Sequence, residues 1–291
     1  MLLTITVPSF IPAAYTENAL RKEMLVSTAW LATHLHDPNL VVLCIVDDEG
    51  FYSSGHIPGS TMVRLSDILT TRSGIPNELP SISHLQDVFQ NAGVGNNSRI
   101  IIYGERSGML AARAYFTLDY LGVADRAALL DGGIEKWRTE RREESTVALP
   151  VRVTKLEVRT HPEVLVNIEQ MDAYSRSIPG PAIVDSRPHS EFVGNELSED
   201  VPKRGHIPHA EGLYWRNLLR NEALPSLKPP DELRDLFRAS GAAPGKQVIT
   251  YCRTGMQSSF SYFVAKYLGY KVRMYDGSFY EWSRSSLPVE P

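Results

Sequence analysis

Two periodicities alternate along the chain. Six short runs are apolar at nearly every position: LVVLCIVD (Leu40–Asp47), SRIIIYG (Ser98–Gly104), RAALLDG (Arg126–Gly132), PAIVDSR (Pro181–Arg187), KQVITYC (Lys246–Cys252) and YKVRMYDG (Tyr270–Gly277). Their length and uniform hydrophobicity predict strands buried on both faces of a parallel sheet. Between them lie segments with helical spacing. VSTAWLATHL (Val26–Leu35) opens on a cap signal at Ser27, and PDELRDLFRAS (Pro230–Ser240) has proline in its first turn with acids beside it. SSFSYFVAKYLG (Ser258–Gly269) ends on a glycine suited to stop a helix. Strand–helix alternation predicts an α/β fold whose small parallel sheets carry helices on both faces.

The same pattern occurs twice. SSGHIPGS (Ser53–Ser60) recurs as KRGHIPHA (Lys203–Ala210), and IIYGERSGM (Ile101–Met109) as VITYCRTGM (Val248–Met256). ARAYFTLDYLG (Ala112–Gly122) recurs as SFSYFVAKYLG (Ser259–Gly269), and LLDGGIEKWRTE (Leu129–Glu140) as RMYDGSFYEWSRS (Arg273–Ser285). The offset is 150 residues between His56 and His206 and 145 between Trp137 and Trp282. Ordered matches at a nearly constant offset imply duplication, and 291 residues accommodate two domains of about 100–150 each. The expected division is an N-terminal arm at 1–23, a first domain at 24–145, a linker at 146–159 and a second domain at 160–291. The charged, proline-containing stretch Arg141–Arg159, which belongs to neither repeat, marks the join.

Composition removes several classes of function. A formal charge of −4 points to neither nucleic acid nor an anionic membrane as partner. No apolar run reaches the ~18–20 residues that span a bilayer. Two cysteines build neither a disulfide framework nor a four-cysteine zinc site. The arm MLLTITVPSFIPAAYTENALRKE has no basic residue before Arg21, so the expected location is cytoplasmic, with a periplasmic or exported protein as the alternative if the arm derives from a signal.

The chemistry concentrates at YCRTGMQSS (Tyr251–Ser259). Cys252 is expected at the carboxyl end of a strand, where open α/β sheets bind ligands, with a helix beginning about six residues later, near Ser258. Inward N–H groups of the loop, the helix dipole and the neighbouring Arg253 would favour a thiolate and lower the pKa from its free value of about 8.5. Gly255 permits the turn, and Ser258 and Ser259 suit the helix cap. Cys44, inside VVLCIV, reads as core packing. The first copy has Gly104 at the position of Cys252, and its loop GERSGM is one residue longer than CRTGM, so only the second half can supply a sulfur nucleophile.

Two α/β halves, a GHIP motif in each, a cysteine loop in the second alone and two D-G…W motifs resemble the tandem-domain rhodaneses, the thiosulfate and 3-mercaptopyruvate sulfurtransferases. The resemblance runs from about Met24 to the C-terminus. It implies two rhodanese-like domains, with a Cys252 thiolate that takes the sulfane sulfur of a small anionic donor as a persulfide and passes it to a thiophilic acceptor, cyanide or a thiol. No cofactor or metal is implied. The arginine of the VDSR motif, Arg187, is expected at the donor's anionic end. Arg253, Thr254, Gly255, Met256, Gln257 and Ser258 are expected to line the donor site, and Trp215 to form either an apolar wall or domain packing. Asp185 and His206 are expected to support the loops, since His206 has a twin, His56, in the half without the cysteine.

Arg253 fits the thiosulfate-type loop C-R-K-G-x-T, whereas Thr254 replaces its lysine and Gln257-Ser258 depart from its ending; the expected donor is thiosulfate, with 3-mercaptopyruvate as the alternative. A phosphatase of the related C-x5-R type would need arginine at Ser258. A persulfide carrier serving one protein acceptor is the remaining alternative.

Overall fold

The computed structural model describes residues 18–198, 200–221 and 223–291. Most of the N-terminal arm, and with it the question of a signal, lies outside the described residues.

The first half runs β1 (Leu25–Val26), α1 (Thr28–His34), β2 (Leu40–Val46), α2 (Glu49–Ser53), β3 (Thr61–Arg64), β4 (Thr70–Arg72), β5 (Ile75–Glu78), α3 (Ile82–Asn91), β6 (Arg99–Gly104), α4 (Met109–Tyr120), β7 (Ala127–Leu130) and α5 (Gly133–Thr139). The second runs β8 (Leu165–Val166), α6 (Ile168–Ser175), β9 (Ala182–Asp185), α7 (His189–Phe192), β10 (Ala210–Gly212), α8 (Pro230–Ala239), β11 (Gln247–Tyr251), α9 (Met256–Tyr267), β12 (Lys271–Tyr275) and α10 (Ser278–Arg284). The six apolar runs are all strands, each slightly shorter than the run that predicts it. Ser27 caps α1 by accepting the Trp30 N–H, and Pro230 starts α8.

Each half forms one five-stranded parallel sheet with helices on both faces, in the orders β1-β7-β6-β2-β3 and β8-β12-β11-β9-β10. These orders are identical once the repeat is taken into account. The equivalence reaches single hydrogen bonds. The Tyr103 hydroxyl accepts the Ile57 N–H at 3.1 Å, as Tyr251 accepts that of Ile207. The Nδ1 atoms of His56 and His206 each lie 2.9 Å from a helix carbonyl, of Tyr52 and Phe192, and each imidazole stacks on that residue's ring. Trp137 and Trp282 each donate the indole N–H to a carbonyl six residues on.

The halves pack through twin helices α4 and α9. Tyr115 meets Phe263 edge-on at 4.9 Å, and Phe116 meets Tyr262 at 5.0 Å. Because Tyr115 matches Tyr262 and Phe116 matches Phe263 in the repeat, this is one contact made twice, as across a two-fold axis. The chain between the halves is packed rather than loose: Leu156 is buried, its N–H held by Gln90 and its carbonyl by Gln86 of α3, and the Thr154 hydroxyl donates to the Val94 carbonyl. One feature differs between the repeats. The first half has a β4–β5 hairpin that pairs Thr70 with Glu78, whereas the corresponding antiparallel pairing in the second half is a single bridge between Leu219 and Leu227.

Candidate active site

Cys252 follows the last residue of β11, and α9 begins four residues later at Met256. The expected helix start at Ser258, with serines as caps, is therefore corrected. The N-cap is Gly255 at φ +81°, a left-handed conformation that glycine adopts without cost. That turn brings α9 close behind the cysteine. Ser258 and Ser259 fall inside the first turn, where Ser259 donates back to the Gly255 carbonyl at 2.7 Å and the Ser258 hydroxyl is buried without a partner.

The loop is fixed from behind by the start of α10. The Ser278 hydroxyl accepts the N–H groups of Cys252 (3.2 Å) and Gly255 (3.1 Å) and donates to the Tyr275 carbonyl. The N–H groups of Phe279 and Tyr280 donate to the carbonyls of Cys252 and Arg253. Both carbonyls thus face α10. Ser278 sits at φ +55°, and its twin Gly133 at φ +56°. A serine held where the sister half uses glycine costs about 1 kcal/mol or more; here the strained residue supplies the hydroxyl that anchors the loop. Sequence reasoning missed Ser278, although the contrast of DGG with DGS in the repeat was the available signal.

The first half also reaches this loop. Asn77 of β5 donates from Nδ2 to the Thr254 hydroxyl at 2.9 Å. Arg113 of α4, 0% exposed, pairs with Asp276 (2.5 and 3.1 Å) and donates to the Asn77 carbonyl. A Cβ placed on Gly255 would stand 2.3 Å from Asp276 Oδ1 and 3.1 Å from Arg113 Nη1, so this network lies directly against the cap of α9. The two-fold relation is broken at this point: Phe260, the twin of Arg113, lies over Gly108, the twin of Gly255. One loop has an apolar ring above it and the other a guanidinium.

The remaining candidates divide. Asp185 ends β9 and holds Arg187. The Arg187 guanidinium, however, is only 2% exposed: it binds both Asp185 oxygens and the Gly205 carbonyl and lies 4.0 Å over the Phe279 ring. Its charge is paired with Asp185 inside the second half. Arg253 is 38% exposed and pairs with Glu191 of α7 at 2.6 Å. Trp215 is buried against Phe260 in the core shared by both halves. His206 is buried in the GHIP turn, as its twin is. Met256 and Gln257 lie in the first turn of α9, where Gln257 Oε1 is buried without a partner.

Burial pushes the Cys44 thiol up to about 12, which suits a core residue. The first half has no room for a cysteine at the equivalent place: a Cβ on Gly104 would lie 2.4 Å from the Ile45 carbonyl oxygen.

Glu78, beside Asn77, has its carboxyl pushed up to about 7, first by burial and then by the Asp276 charge, against the opposing pull of Arg113. A carboxyl whose folded-state pKa is raised binds more protons folded than unfolded between about pH 4.5 and 7, so its contribution to stability falls as pH rises through that window. Glu78→Gln mimics the protonated form. Relative to wild type it is expected to gain about 1 kcal/mol at pH 8, after allowance for water screening, and nothing near pH 4. Urea melts at the two pH values measure this; an equal difference at both would refute it.

Comparison with known proteins agrees with this architecture. The rhodanese-like domain model matches residues 27–140 and again 169–285. The chain is 32% identical to the sulfur carrier protein TtuD of Thermus thermophilus over 89% of its own length and 93% of that protein. It is 30% identical to the 3-mercaptopyruvate sulfurtransferase of Escherichia coli, over 91% and 97%. The crystal structure of SseA, a 3-mercaptopyruvate sulfotransferase from Escherichia coli, superposes with a TM-score of 0.78 at 26% identity, covering 88% of this chain and 98% of that one. The chain belongs to the tandem-domain rhodanese family of sulfurtransferases. Among the described residues no helix is long and apolar enough to cross a membrane.

Proposed function

We propose that this protein moves a sulfane sulfur from thiosulfate to a thiophilic acceptor, cyanide or a thiol, through a persulfide on Cys252. The observation that carries the reading is the placement of Cys252 between the end of β11 and the cap of α9, while Gly104 leaves no room for a side chain in the sister half. In the first step the Cys252 thiolate attacks the outer sulfur of thiosulfate; the S–S bond breaks and sulfite leaves with the electron pair. In the second, the acceptor attacks the persulfide's outer sulfur and the thiolate is restored. With the Cys252 and Arg253 carbonyls turned to α10 and the Cys252 and Gly255 N–H groups held by Ser278, the N–H groups of Arg253 and Thr254 can face the anion, and the positive end of α9 supports the charge that develops on the leaving group. We place the two domains at 24–145 and 160–291, joined by 146–159.

A second donor, 3-mercaptopyruvate, is favoured by one observation: Arg253 is neutralised by Glu191, which weakens the case for a dianion. Delivery to a protein acceptor is supported by the similarity to a sulfur carrier. The test is mass spectrometry of the intact chain after each donor, followed by steady-state thiocyanate formation. The expected result is a gain of one sulfur atom on Cys252 with thiosulfate, discharged by cyanide, and a higher kcat/KM for thiosulfate than for 3-mercaptopyruvate. A persulfide that cyanide does not discharge would favour the carrier; the reverse donor ranking would favour 3-mercaptopyruvate.

A further inference from the structure

We infer that Glu191 sets the donor specificity of the site by occupying the arginine that a dianionic donor would otherwise use. The inference rests on the sulfur-transfer reading above. Two arginines lie in the region of the cysteine loop that a donor would meet, and each has a carboxylate partner. Arg187 is locked to Asp185 in the interior and cannot turn outward without leaving Asp185 buried and unpaired, at a cost of several kcal/mol. Arg253 is different. It directly follows Cys252, its side chain is 38% exposed, and only one of its guanidinium nitrogens is taken: Nη2 donates to Glu191 Oε1 at 2.6 Å, while Nε is buried without a partner.

Nε and Nη2 form the edge with which arginine grips a carboxylate or oxyanion through two parallel hydrogen bonds. Glu191 uses half of that edge, since its second oxygen, Oε2, is engaged by the Ser198 hydroxyl. An oxyanion that displaces Glu191 completes the fork. Glu191 therefore competes with the donor, and its negative charge stays near Arg253 whether displaced or not. The penalty grows with donor charge. Thiosulfate carries two charges and 3-mercaptopyruvate one carboxylate, so the pair discriminates against the dianion relative to an unpaired arginine.

The experiment is Glu191→Gln in the full chain, with KM and kcat measured for both donors and cyanide as acceptor. Glutamine keeps the size and an oxygen for Ser198 while removing the charge. The KM for thiosulfate is expected to fall at least about threefold, more than that for 3-mercaptopyruvate, with kcat little changed; threefold corresponds to the ~0.7 kcal/mol of a partly exposed ion pair. The gain should vanish in Glu191→Gln/Arg253→Gln, since no arginine is left to liberate. Raised salt should weaken thiosulfate binding more steeply in Glu191→Gln than in wild type. An unchanged or raised KM for thiosulfate, with the persulfide still forming on Cys252, overturns the inference alone. Absence of the persulfide with thiosulfate in both wild type and variant overturns the donor assignment and the inference with it. If Glu191→Gln does not fold, Arg253→Gln decides: the inference requires its thiosulfate KM to rise more than that for 3-mercaptopyruvate.

Discussion

Cys252→Ala is expected to remove thiocyanate formation, by at least about a thousandfold, because in the proposed ping-pong reaction the intermediate sits on this sulfur and has no alternative route. The loss should be chemical rather than structural. Cys252 is 1% exposed, so trimming it costs stability, but on the order of 1 kcal/mol, and the backbone around it is held by Ser278 and by the N–H groups of Phe279 and Tyr280 rather than by its thiol. Cys44→Ala is the matched control: an equally buried cysteine, the only other in the chain, with a similar cost in stability and no loss of turnover. Thiol alkylation divides the two in the same way, since the thiol of Cys44 is pushed up to about 12 by burial. Substantial turnover in Cys252→Ala, or its loss in Cys44→Ala with the fold intact, would remove the assignment.

What the chain discloses as text, and what it withholds, follows the range of the interactions. The six strands are legible because a strand covered on both faces must be apolar throughout. The Ser27 cap and the Pro230 helix start are legible because they act within one turn. The repeat adds a second kind of legibility: GHIP, the paired tryptophans and the missing cysteine acquire meaning by comparing one half with the other. The start of α9 is misread because serines resemble caps, whereas the folded loop closes on a left-handed glycine whose N–H is taken by Ser278, 23 residues away.

The surroundings of Arg187 are hidden in the sequence for a related reason. Its motif shows a charge beside a strand end; only the packed structure shows Asp185, Gly205 and Phe279 enclosing it. Least legible is the contribution of the first half, because Asn77 meets Thr254 across 177 residues and Arg113 meets Asp276 across 163. Nothing local in NELP or ARAYF announces a partner. One clue was present, however: in the aligned repeat, arginine stands opposite phenylalanine at 113 and 260, the point where a two-fold contact would otherwise repeat itself.

Arg113→Ala is accordingly expected to have the largest effect on stability, a loss of about 3–5 kcal/mol, because it strands Asp276 as a buried charge at 4% exposure and frees the carbonyl of Asn77. Urea denaturation at neutral pH measures it. Arg113→Met with Asp276→Asn removes both charges while filling most of the space, and should recover at least half of the loss. Activity should not recover in step. In wild type the Arg113 guanidinium joins three things: Asp276, the hairpin that presents Asn77 to Thr254, and the cap glycine of α9. A neutral pair keeps the interior satisfied but no longer ties the hairpin of one half to the cysteine loop of the other, so kcat is expected to stay at least about tenfold below wild type. A single-variant loss under about 1 kcal/mol would mean that Asp276 finds water or another partner. Full recovery of kcat in the double variant would mean that the first half serves only as packing. The expected split, stability regained without activity, is what a positioning role predicts: the first half has Gly104 where the second has Cys252, and places a charged residue over its sister's loop.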